Sequence, residues 1–142
     1  MRLSFLLLFA TLALSGCISR EQADEKLAKG CAAAAEAFIE EGYKIENIKQ
    51  QKFSTPADLG EGFREVTLFV VEGDGWYSTD KEYRCVFTES MGPFGSSHNA
   101  VIYRLKLDNL TLGQEGGKLY GTIEDHNKLG HAVSNGFNRY RP

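Results

Sequence analysis

A bond between Cys31 and Cys85 would close a loop of about 55 residues and tie two remote parts of the chain together, so this pair restricts the fold more than any other feature. Thiols stay reduced in the cytosol and oxidise outside it, which makes the compartment the first question. The first sixteen residues speak to it. Met1-Arg2 gives a short positive start, Leu3 to Leu14 is an uncharged, mostly apolar run, and Ser15 and Gly16 are the small residues that a signal peptidase needs. A permanent span takes about 20 apolar residues, so residues 1–16 read as a secretion signal and not as an anchor. After export, Cys31 and Cys85 form an even pair with neither CxxC spacing nor a metal ligand beside them. A structural disulfide is expected, stabilising the fold by about 4 kcal/mol on the chain-entropy model.

The third cysteine stands directly behind the signal. Leu14-Ser15-Gly16-Cys17 resembles the lipobox of bacterial lipoproteins: an aliphatic residue, two small residues, then Cys. The resemblance covers the leader alone. It implies that the Cys17 thiol receives diacylglycerol, that cleavage makes Cys17 the first mature residue, and that the new amine takes a further acyl chain, palmitate in kind. One acyl chain holds a membrane only marginally, at about 0.8 kcal/mol per buried CH₂, whereas two or three hold it firmly. Ile18 stands where such proteins carry an Asp for inner-membrane retention, which implies the periplasmic face of the outer membrane. With Ile18 alone between Cys17 and Ser19, a helix is expected to begin at the membrane and hold the domain against it.

A chain of 142 residues suits one domain. Removing residues 1–16 takes away Arg2 and no acid, which moves the net charge from −3 to −4. This mild acidity, spread along the chain, leaves no basic stripe for nucleic acid and no polybasic patch for anionic lipid.

Ser19-Arg20-Glu21-Gln22 reads as a capping box, opening a helix predicted to run to about Glu41 with Gly42 as its stop. Ala23, Leu27, Gly30, Cys31, Ala34, Ala35 and Phe38 share one arc, a shallow apolar stripe with Cys31 near its middle. The period then changes to two. Strands are predicted at Tyr43–Phe53, Phe63–Val71, Glu82–Ser90 and Asn99–Leu107, with a short fifth at Lys118–Glu124. Phe63–Val71 is apolar on both faces, which suits a central strand. Cys85 shares a face with Tyr83 and Phe87, so joining it to Cys31 lays the helix across the inner face of the sheet. The expected fold is α+β: one amphipathic helix on an antiparallel meander of four or five strands, stapled by a disulfide. Its architecture resembles the helix-on-sheet arrangement of cystatin-like domains, without any cystatin motif and therefore without a role attached. Residues 17–112 make up this domain, and the Gly-rich segment 113–142 is expected to be loosely ordered beyond its one strand.

Few residues suggest chemistry. Asp125, His126 and His131 could pose as metal ligands, but five residues is the wrong spacing for one helical face, and solvent-exposed His in a polar tail is the simpler reading. Ser96-Ser97-His98 places hydroxyls beside an imidazole without a G-x-S-x-G elbow. Glu72, Asp74 and Asp80 lack the ligand alternation of an EF-hand loop, and Asp74-Gly75 is ordinary hairpin chemistry. No metal or other cofactor and no catalytic residue is assigned. Trp76, Tyr77 and Phe94 are the candidate binding patch, since loop-tip aromatics offer large contact area at low entropic cost. The bland alternative has Trp76 folding back to cap the core.

The mature chain otherwise resembles small periplasmic lipoproteins with one Cys on a helix and one on a strand, a likeness that carries no role. Two functions are expected from these features. The first is a non-catalytic, lipid-anchored envelope protein that works through a protein partner. The second is a periplasmic inhibitor or ligand-binding module of the lysozyme-inhibitor kind.

Overall fold

Ser19 Oγ accepts from the Gln22 amide and Gln22 Oε1 accepts from the Ser19 amide, so the expected capping box opens helix α1, Arg20–Glu36. The computed structural model describes residues 16–141; apart from Gly16, the signal assigned to residues 1–16 lies outside them. α1 stops five residues before the predicted Glu41. The amides of Phe38 and Ile39 both turn to the Ala35 carbonyl, which winds the last turn shut and lets Phe38 reach the core. Gly42, at φ +92°, serves the turn into the first strand instead of closing the helix.

Six strands follow in place of four or five: β1 Lys44–Ser54, β2 Phe63–Gly73, β3 Ser78–Met91, β4 His98–Leu107, β5 Leu110–Glu115 and β6 Lys118–Tyr120. They form one antiparallel meander in chain order. The added strand is β5, joined to β4 by the two-residue turn Asp108-Asn109 and to β6 by Gly116-Gly117. Asp108, Gly116 and Gly117 all have positive φ, as such tight hairpins require.

The segment from residue 113 onward is ordered, not loose. After β5 and β6 the chain forms a second helix, α2, Ile123–Arg139, opened by a capping box between Thr122 and Asp125. Leu129 and Val133 of α2 are buried in the same core as α1 and the sheet, so no domain boundary falls at 112. The helices meet through glycine. A Cβ on Gly136 would stand 2.5 Å from the Lys29 carbonyl oxygen, and one on Gly30 would stand 2.4 Å from the Phe137 ring. The shallow stripe of α1 therefore seats both the sheet and α2.

Val66, Leu68 and Val70 of β2, Tyr83, Cys85 and Phe87 of β3, and Leu105 of β4 form the inner face beneath α1. Cys31 and Cys85 are bonded, with Cα atoms 5.6 Å apart, and pin α1 to β3 as expected. On the other face the loop after β1 folds back, and its Asp58 pairs with the buried guanidinium of Arg104.

Candidate functional site

α1 runs from one end of the sheet to the other, and its ends differ in kind. At its start, beside Cys17, lies a network of charged side chains. Arg20 donates to both oxygens of Glu89 (2.8 and 2.5 Å) and pairs with Asp24 one turn on (2.7 Å). Arg64 of β2 grips the same Asp24 from Nε (2.9 Å) and Nη2 (2.5 Å). His98 at the head of β4 donates from Nε2 to Glu89 Oε1 at 2.7 Å. Burial opposes the charge on Glu89, but the bonds from Arg20 and His98 outweigh it and hold the carboxyl below its ordinary range. Each carboxylate of the cluster is matched by cations, and the cluster's imidazole, His98, is spent on Glu89. The cluster clasps the first turn of α1 to β2, β3 and β4. It presents no free nucleophile with a base.

The chain just before α1 is fastened as well. The Ile18 amide donates to the Gly95 carbonyl at 2.8 Å, docking the residue after Cys17 onto the short 3-10 turn Pro93–Gly95. Cys17 itself is exposed and lies outside the disulfide. Phe94, at the tip of that turn, is 97% exposed and sits at φ +54°, a left-handed backbone that is unusual for a bulky side chain.

Trp76 and Tyr77 occupy the opposite end, on the four-residue loop between β2 and β3. Asp74 Oδ1 accepts from both of their amides at 2.8 Å, which ties the loop and lowers the Asp74 carboxyl. Trp76 is 90% exposed, so it does not cap the core. Near this end a cleft of about 270 Å³ is lined by Phe38, Leu110, Glu72 and Tyr83. The Tyr83 hydroxyl is buried without a partner among the described residues, and burial pushes the Glu72 carboxyl up.

The three aromatic residues thus do not form one patch. Trp76 and Tyr77 precede β3 and Phe94 follows it, and 14 residues of strand extend roughly 45 Å at about 3.3 Å per residue. The other candidates are also dispersed. His126 and His131 lie on α2 and not in a polar tail, and His126 is half-buried. His98 turns inward to Glu89, with no bond from Ser96 or Ser97. Asp80 pairs with Lys49 of β1, while Asp74 is used by its own loop, so these acids do not converge on a cation.

Sequence reasoning missed the network at the start of α1. Its one local signal was Asp24, an acid inside the arc between Ala23 and Leu27 that only a buried cation could satisfy. Comparison with protein-family models, with curated proteins and with solved structures finds no match to this chain.

Proposed function

We propose that this protein is a bacterial envelope lipoprotein, held on the periplasmic face of the outer membrane by acyl chains on Cys17 and acting through a protein partner without catalysis. The observation that carries the reading is the quartet Leu14-Ser15-Gly16-Cys17 behind an uncharged apolar run. It is supported by the position of Cys17, exposed and one residue from a clasped helix start, where a lipid would reach the bilayer without a tether. A non-catalytic role is supported by the pairing of Asp24 and Glu89 with Arg20, Arg64 and His98.

The test is metabolic labelling with an alkyne analogue of palmitate, followed by fractionation of the envelope. The wild-type chain is expected to take up label and sediment with outer membrane; Cys17→Ser is expected to do neither. A wild-type chain without label overturns the reading. Crosslinking in the cell then identifies the partner.

A second reading is favoured by one observation, the exposure of Trp76 (90%) and Tyr77 (78%) on a hairpin tip. Here the tip is the contact surface of an inhibitor or ligand-binding module, and the mild negative charge suits a basic target such as a muramidase. Trp76→Ala is expected to abolish muramidase binding while leaving the fold intact; undiminished binding rejects this use of the tip.

A further inference from the structure

The end of the molecule that carries Cys17 also collects apolar and basic groups, half-buried or exposed, from three separate stretches of chain. The first is Ile18, fixed to the Gly95 carbonyl. The second is the Pro93–Gly95 turn, whose Phe94 is 97% exposed. The third is the end of α2. The helices run antiparallel, since Lys26 lies over the Phe137 ring at 5.0 Å while Lys128 lies over Phe38 at 4.6 Å. Arg139 and Tyr140 are thereby carried back beside the start of α1, where Tyr140 and Ile18 line one shared cleft with Lys26.

We propose that this end is a second membrane-contact surface, with the bilayer that receives the Cys17 lipid as its occupant and Phe94 inserted into the interfacial layer. The inference rests on acylation of Cys17. Three arguments favour lipid over a protein partner. First, consecutive Cα atoms are about 3.8 Å apart, so an acylated Cys17 brings Ile18, and through it the 93–95 turn, to the headgroup layer. Second, headgroup layers are only some 5–8 Å thick on each side of the roughly 30 Å core, so a fully exposed side chain on that turn lies within reach of it. Third, aromatic rings together with cations are the composition that such layers accept, and this end carries the exposed Phe94 and a half-buried Tyr140 set between the exposed Arg139 and Arg141. Phe94 also holds a left-handed conformation that costs free energy, and Gly95 beside it is packed on Ile18, so the tip is kept projecting by the anchor segment itself. Trp76, at the far end of β3, would then point away from the membrane.

The chain has a single Trp, which makes the test direct. The full chain is expressed in a bacterium, purified with its lipid, and placed in vesicles of phosphatidylethanolamine and phosphatidylglycerol containing dibrominated phosphatidylcholine. Both positions are exposed, so the pair Trp76→Phe with Phe94→Trp moves the fluorophore without disturbing the core. The moved Trp is expected to shift to the blue and lose most of its emission to the bromines, while Trp76 of the native protein keeps its emission. An acylated protein whose Trp at position 94 is unquenched overturns this inference and leaves the lipoprotein reading standing. A Cys17 peptide without acyl mass overturns both. Unchanged circular dichroism of the double variant keeps either outcome interpretable.

Discussion

Glu89 is the residue on which the Cys17 end of the molecule turns. Arg20 holds both of its oxygens and His98 holds one, so three chain segments meet on a single carboxylate. Because its carboxyl lies below the ordinary 4.5, it contributes stability that is present above that value and is lost as pH falls through the lower folded-state value. Glu89→Gln removes this contribution. We expect the variant to be less stable than wild type by about 2 kcal/mol near neutrality, as for loss of a charged hydrogen bond. The gap should narrow below the ordinary value of 4.5, where unfolded chains also bind the proton. Urea midpoints across a pH series check this; a gap that does not change with pH assigns Glu89 no electrostatic role. Asp58, Asp74 and Asp125 are also held low, by Arg104 or by local amides, and they affect both proteins alike. None of this was visible in sequence, because residues 20 and 89 come together only when α1 lies on the sheet.

At the scale of elements, legibility followed locality. The capping box, the apolar arc of α1 and the period of β2, β3 and β4 are patterns among residues a few positions apart, and they were readable. α2 was not recognised, because its two glycines and three asparagines argue for a loop on propensity. Packing overrode propensity: Leu129, Val133 and Phe137 recur at helical spacing, and the missing side chain of Gly136 lets α2 touch the α1 backbone. The Thr122–Asp125 box was the available signal. The two helix glycines should therefore respond in opposite directions. Gly136→Ala is expected to destabilise by about 1–3 kcal/mol, since backbone must shift to admit the methyl group. Gly130 faces open space, and Gly130→Ala is expected to gain about 0.5–1 kcal/mol. Thermal melts of the two variants check the pair; two shifts of the same sign would refute the close crossing.

For the whole molecule, the disulfide sets how firmly the helical layer is held to the sheet. It joins α1 to β3 across 54 residues of chain, and its removal should cost about 2–4 kcal/mol. Urea unfolding of the protein with and without reductant measures the loss; equal midpoints would mean that the two layers hold without the bond. By itself the sequence determined the pairing of Cys31 with Cys85, the start of α1, the alternation of the central strands and the lipobox resemblance at Cys17. Each of these depends on local pattern or on counting. Only the tertiary structure decided that residues 123–139 are helical and that Arg20, Asp24, Arg64, Glu89 and His98 neutralise one another. It also decided that Phe94 belongs with Cys17 while Trp76 stands apart. The physical reason is distance along the chain: the contacts that clasp the start of α1 and the Cys17 segment to the sheet join residues 40 to 77 positions apart, and their energies exist only after the core has closed.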